Sequence, residues 1–238
     1  LAVLAAVAAV TFRAYGHGWD DYTHAEYADL LLRMYGSGFS DRAALSFANL
    51  YMYGGGFDML AALLHKVVPL DLFETRRLVG AIVGLAGLAM AWRLARRAGG
   101  PLAGLAALLL LALCPVFYGH LFMNPKDAPF AVAMIALMLG LARLAQDYPA
   151  PTPTTVTIIG LGAGAAMGTR VLAGLALIYA VVGFLPLLLD DARRSGIATA
   201  AHHAGRVVAT LLPGLALAYL VMGLIWPWAG IEPANPIR

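Results

Sequence analysis

RRLVGAIVGLAGLAMAWRLARR, residues 76–97, decides the fold class. Its middle carries no charge from Leu78 to Trp92, and the whole stretch reaches the roughly 20 residues a helix needs to cross a bilayer. Its far end gathers Arg93, Arg96 and Arg97 with no acid nearby. Cations in short loops concentrate on the cytoplasmic side, so that end is expected to be cytoplasmic. Gly99, Gly100 and Pro101 predict a tight turn, and residues 102–118 should then return to the other face.

Composition extends this reading to the whole chain. Hydrophobic residues make up 61% and charged residues 12% of the 238, against about 25% charged in soluble domains. A mean hydropathy of +0.79 points the same way. The expected class is an all-α, polytopic transmembrane protein. The net charge of +3 would suggest nucleic acid in a soluble protein, but here the arginines sit in short loops between apolar runs and orient the chain instead. No nucleic-acid partner is expected. The single cysteine, Cys114, lies in an apolar run, which excludes an intrachain disulfide framework and argues against a cysteine metal site.

Further crossings are expected at 128–144, 155–168, 171–189 and 206–226, besides 75–97 and 102–118. Residues 1–12 read as the truncated end of a first span. With no opening methionine and a close at WPWAGIEPANPIR, the sequence reads as the N-terminal part of a larger protein. Arg143, Arg193 and Arg194 fall on the same side as the 93–97 cluster, while loop 119–130 and the long segment 13–74 fall outside. Trp226-Pro227-Trp228 is expected to anchor at the interface. Gly80 with Gly84, and Gly160, Gly164 and Gly168, repeat every four residues, which suits close helix packing.

Segment 13–74 is expected to contain no full crossing; the alternative, residues 57–68 as a true span, would flip every later loop and put the Arg93–Arg97 cluster outside. From Tyr22 to Tyr35, Glu26, Asp29 and Arg33 share one helix face while Ala25, Ala28, Leu31 and Leu32 lie largely opposite, predicting an amphipathic helix on the membrane surface. Residues 57–68 predict a second short surface or re-entrant helix, with the glycines of YMYGGGF turning the chain into it.

Ionisable residues are rare enough here that each asks for a reason. Asp20 and Asp21 could open the surface helix, with Thr23 and Glu26 at capping-box spacing. They could equally handle protons, ions or substrate at the membrane surface. Asp127 follows Asn124-Pro125 and could complement a helix dipole. It also falls on the same face as Asp20, so the two carboxylates could converge, one as general base and one orienting the reacting group. Lys126 and Arg170 stand outside against the positive-inside trend, where snorkelling to headgroups and binding of an anionic phosphate are both open. His17 and His24 have spacing compatible with a metal alongside Asp20 and Asp21, a weak pattern.

The order of these features resembles the lipid-carrier-dependent glycosyltransferases of the GT-C membrane fold, the group that includes protein O-mannosyltransferases, aminoarabinose transferases of lipid A and rhizobial galacturonosyltransferases. The matching marks are Gly18-Trp19-Asp20-Asp21 after the first span with Tyr22 or Tyr27 behind it, Asn124-Pro125-Lys126-Asp127-Ala128-Pro129-Phe130 in the next outside loop, Thr169-Arg170 after the glycine-rich span, and Trp226-Pro227-Trp228. Asp21 stands where relatives usually have Glu, Arg170 where they usually have Lys, and YMYGGGF where many have a Pro-Pro pair. The resemblance implies inverting transfer of a hexosyl or pentosyl unit from a polyprenyl-phosphate sugar to an acceptor hydroxyl on a lipid, polysaccharide or protein. The setting implied is the extracytoplasmic face of a bacterial inner membrane. Asp20, with Asp21 beside it, would supply the base, Asp127 would position a substrate, and Arg170 with Lys126 would bind the donor phosphate. Cofactor use stays open, a divalent metal included. The rival class, an ion- or proton-coupled transporter or lipid flippase, expects ionisable residues in mid-span, and the spans hold almost none.

Overall fold

The computed structural model describes residues 1–235; residues 236–238, the close of WPWAGIEPANPIR, lie outside the described residues. The protein is 83% helical with no strand among the described residues, which settles the all-α class. Two short helices, α1 (Ala2–Thr11) and α2 (Asp21–Gly36), precede α3 (Gly56–His65) and the long α4 (Leu72–Leu113). Then follow α5 (Pro115–Met123), α6 (Asp127–Asp147), α7 (Pro153–Thr169), α8 (Gly174–Ser195), α9 (Ile197–Ile225) and the short α10 (Pro227–Ile231). Among the described residues, four helical stretches are long and apolar enough to cross a membrane: α4, α6, Val171–Ser195 and α9.

α4 is a hairpin. Asp71 caps its start, its Oδ1 accepting the Phe73 and Glu74 N–H groups at 2.8 and 2.9 Å, and the chain reverses at Gly100 (φ 82°, ψ −173°). That conformation is open in practice only to glycine. The second limb returns so closely that a Cβ on Gly104 would lie 2.9 Å from the Arg96 Cβ. The returning segment differs from the expected 102–118. It breaks at Cys114 (φ −76°, ψ 109°), because Pro115 has no N–H to donate and forces its predecessor out of the helical region. α5 then carries the return to Met123, with Gly80 of the outgoing limb against the Leu121 carbonyl.

α7 is gripped on two sides. A Cβ at Gly160 or Gly164 would fall 2.7 or 2.6 Å from the carbonyl oxygens of Gly214 or Ala218 in α9. On the other side, a Cβ at Gly162 would fall 2.6 Å from the Leu137 nitrogen in α6. Small residues let these backbones touch, which replaces hydrophobic driving force where the solvent is lipid. α8 by contrast leaves Ile178, Tyr179, Val181, Val182 and Leu185 exposed.

α2 lies across one end of this bundle. It starts at Asp21, two residues before Thr23, so the Thr23–Glu26 spacing falls inside its first turns, and Asp20 occupies the cap position without a side-chain capping bond. Its apolar face does not lie bare on a membrane. Tyr27, Leu31 and Met34 are buried with Leu50, Met59 and Ala44, so α3 and the preceding loop cover it. At the far end the Tyr35 hydroxyl donates to the Leu224 carbonyl of α9 at 2.7 Å.

The glycines of YMYGGGF provide space rather than an unusual turn. A Cβ on Gly54 would lie 1.6 Å from the Gly168 carbonyl oxygen, and the Gly55 N–H donates to the Ile225 carbonyl at 3.0 Å. Trp226 corrects the expected interface anchor. It is 1% exposed, and its indole donates to the Tyr51 carbonyl at 2.8 Å, pinning this loop to the end of α9. A large indole is buried readily only when its N–H finds such a partner.

Two outcomes check this packing. Gly164→Val should destabilise by about 1–3 kcal/mol through overpacking against α9, whereas Gly183→Ala on α8, with open space around it, should be neutral or stabilising by up to ~1 kcal/mol; thermal unfolding in detergent reads both. Asp71→Ala should cost about 1 kcal/mol. Hydrogen bonds from the Glu74 and Phe73 amides hold the Asp71 carboxyl below its ordinary pKa. The cap's contribution is therefore full above the usual carboxylate range and lost as pH falls through the lowered value, which unfolding scans at stepped pH would show.

Candidate active site

Each residue of the candidate site stands at the same end of the bundle. Asp20 opens α2, Lys126 and Asp127 open α6, and Arg170 follows α7. Asn124 prepares the start of α6: its Oδ1 accepts the N–H groups of Lys126 at 3.1 Å and Asp127 at 2.7 Å, satisfying amides that a helix start leaves unpaired. Gly18 lets the 15–20 loop approach the end of α5, since a Cβ there would lie 2.2 Å from the Met123 carbonyl oxygen.

The cations and carboxylates pair crosswise. Lys126 Nζ lies 3.4 Å from Asp20 Oδ2, and Arg170 Nη2 lies 2.5 Å from Asp127 Oδ1. Tyr53 sits between them, its ring centroid 5.2 Å from Lys126 Nζ and 5.6 Å from Arg170 Cζ. Two cations on one ring gain from its quadrupole and are held near each other despite their like charge. The carboxylate side chains are 51% and 59% exposed, against 20% and 28% for the two cations. The site thus offers reachable carboxylates backed by partly enclosed positive charge. The Arg170 Nε is buried and has no hydrogen-bond partner among the described residues. Asn124 Nδ2 extends the cluster, 3.1 Å from Asp127 Oδ2 and 3.1 Å from His120 Nδ1.

Asp21 points the other way. It is buried, accepts the Gly18 N–H at 2.6 Å and faces Arg76 Nε at 3.8 Å. Behind it lies a second ionic cluster. Arg76 Nη2 donates to Asp58 Oδ1 at 2.7 Å, and His24 Nδ1 contacts Asp58 Oδ2 at 2.8 Å. These side chains are 4% exposed or less. His24 and His17 therefore do not meet. His17 packs against Tyr22 and Phe73, with ring centroids at 5.6 and 4.4 Å, and among the described residues no three potential metal-binding side chains gather.

Tyr27, beside this cluster, fixes Tyr53. The Tyr27 hydroxyl donates to the Tyr53 carbonyl at 3.3 Å. Burial, with the Asp58 carboxylate and Tyr35 adding to it, pushes the Tyr27 phenol well above its ordinary pKa, so it stays a donor. Tyr53, Asp58 and Arg76 were not singled out from the sequence. Arg76 and Arg77 could have been: they stand at the end of α4 remote from the arginine cluster, as exceptional for the charge trend as Lys126 and Arg170.

Beneath the site, an apolar hollow of about 370 Å³ runs between α3, α4, α6 and α7, lined by Phe57, Val83, Met90, Val132 and Leu161 with Thr169 at its rim.

The all-α bundle and this end-on cluster define an integral membrane protein with an ionic site at the end of its spans. Residues 57–226 match the dolichyl-phosphate-mannose-protein mannosyltransferase family, and the chain belongs to it. It is a GT-C-type membrane glycosyltransferase that uses a lipid-linked sugar. The match takes in Lys126, Asp127 and Arg170 and begins after Asp20 and Asp21. No curated protein and no solved structure matches the chain.

Asp58→Ala should destabilise the protein by about 3–5 kcal/mol, because it strands a buried guanidinium. Chemical unfolding in micelles reads this, and Trp19→Ala, at a fully exposed residue, should stay within about ±0.5 kcal/mol.

Proposed function

We propose that the protein transfers a hexosyl or pentosyl unit from a polyprenyl-phosphate carrier to an acceptor hydroxyl, with inversion at the anomeric carbon. The reaction would run at the extracytoplasmic face of a bacterial inner membrane, onto a lipid, polysaccharide or protein acceptor. The observation that carries the reading is the meeting of Asp20–Lys126 and Asp127–Arg170 around Tyr53.

Asp20 is the general base. Its carboxylate takes the acceptor's proton as that oxygen bonds to the anomeric carbon. The bond from that carbon to the phosphate oxygen breaks, its electron pair leaves with the polyprenyl phosphate, and Arg170 and Lys126 stabilise the added negative charge. The buried Nε of Arg170, which has no hydrogen-bond partner among the described residues, would donate to a phosphate oxygen once the side chain turns from Asp127 to the donor. Asp127 and Asn124 orient the sugar or the acceptor. The start of the polyprenyl chain lies in the hollow between α3, α4, α6 and α7. Without donor, two carboxylates and two cations neutralise one another. The incoming phosphate competes for Lys126, which frees the Asp20 carboxylate to act as base. Asp21, held by Gly18 and Arg76, positions the turn that carries Asp20.

The test is transfer of radiolabelled sugar from a purified polyprenyl-phosphate donor by the full-length protein. Asp20→Asn should lower kcat roughly 10²- to 10⁴-fold with donor affinity kept or increased. Arg170→Gln should lower kcat/KM for the donor about 10- to 100-fold. Full transfer by Asp20→Asn would remove Asp20 from the base role.

A further inference from the structure

A second collection of positive charge sits at the opposite end of the bundle, and nothing in the transfer chemistry uses it. Arg93, Arg96 and Arg97 in the last turns of the outgoing limb of α4 and Arg143 of α6 surround a hollow of about 470 Å³, with Trp92, Leu139 and Ile158 as its apolar wall. The volume falls in the range of small-ligand sites, roughly 300–1,000 Å³. Arg143 stands sixteen residues along α6 from Asp127, about 24 Å of helix at 1.5 Å per residue, so the hollow is separate from the candidate active site.

What distinguishes this cluster is the identity of its partners. Arg97 donates to the Gln146 side chain, Arg143 Nε donates to Thr155 Oγ1 at 3.1 Å, and Arg96 lies 5.4 Å from the Trp92 ring centroid. All of these partners are neutral. Among the described residues none of the four arginines has a carboxylate within 4.0 Å, and Arg93 makes no polar contact. Asp147, the nearest acid along α6, is bonded to Thr152 and Thr155 and acts on Arg143 electrostatically through the shared Thr155 hydroxyl, without a direct ion pair. The cations of the candidate active site each pair with a carboxylate, whereas here four arginines line one hollow and none forms an ion pair among the described residues. Scattered arginines would serve equally well to orient the chain in the bilayer. Gathering them from two helices into one hollow instead creates a site where four guanidiniums outnumber the one carboxylate nearby, Asp147.

We infer that this hollow binds the headgroup of an anionic phospholipid, a phosphodiester without its own cation, with the acyl chains against the apolar flank of the spans. Guanidinium forks match phosphate oxygens with paired hydrogen bonds. A basic pocket between membrane helices at the bilayer surface is the setting in which such headgroups are held. The Trp92 indole and the Leu139 and Ile158 side chains lead from the charged rim towards the hydrocarbon, which favours a lipid over free inorganic phosphate.

The test is native mass spectrometry of the detergent-solubilised protein, titrated with palmitoyl-oleoyl phosphatidylglycerol or phosphatidylcholine. Wild type should bind its first phosphatidylglycerol markedly more tightly than phosphatidylcholine. Arg93→Gln with Arg143→Gln should weaken phosphatidylglycerol roughly 30-fold, about five-fold per arginine, and leave phosphatidylcholine unchanged. Should that variant fail to fold, Arg93→Lys with Arg143→Lys keeps the charge but not the fork, and should still lose several-fold. Arg193→Gln with Arg194→Gln removes two charges outside the hollow and should change nothing. Unchanged preference in the hollow variants, an equal loss in the Arg193/Arg194 variant, or displacement of the lipid by millimolar inorganic phosphate would each overturn the inference.

Discussion

The buried pair of Arg76 and Asp58 is the contact on which the end of the molecule that carries the candidate site depends. It joins α4 to α3 at 2.7 Å, and through His24 and Asp21 it ties both to α2. A guanidinium and a carboxylate shielded this thoroughly from water are tolerable only in one arrangement, since any shift strands a charge. Ion pairs of this kind set position more than they add stability. α2 cannot slide without moving Asp21 off Arg76, and Asp20 is the next residue.

The same end of the bundle is also closed by contacts that carry no charge. Trp226 holds Tyr51, Gly54 fits against Gly168, and the Tyr27 hydroxyl reaches the Tyr53 carbonyl. Together they hold the Tyr53 ring beside Lys126 and Arg170. The site's cations are therefore placed by an aromatic ring whose own position is set from three helices. Two like charges held this close need such a scaffold.

Much of this was legible in the residues. Hydropathy and arginine placement are local properties, so the all-α membrane class and the reversal at Gly99–Pro101 could be read directly. The order of Trp19-Asp20-Asp21, Asn124–Asp127 and Thr169-Arg170 pointed to the family before any geometry was known. Other features depend on distant partners. Pairs such as Arg76 with Asp58, or Trp226 with the Tyr51 carbonyl, join segments 18 and 175 residues apart, and no periodicity marks them. Asp20 and Asp21 look alike in sequence, yet one is exposed and the other is buried against Arg76. The break at Cys114 was masked because hydropathy continues smoothly across it while the backbone cannot pass Pro115.

The reversal at Gly100 carries an implication about counting. It returns the chain so that Asn124–Asp127 comes out at the end where Arg76 went in, and α6 with α7 makes the next return before Arg170, as α8 with α9 does before Trp226. Every contributor is thus delivered by an even number of passes. A duplication or deletion of one helix would leave each motif intact in the sequence while sending all later ones to the wrong end. Parity of passes is therefore as much a requirement for assembling this cluster as any of its side chains.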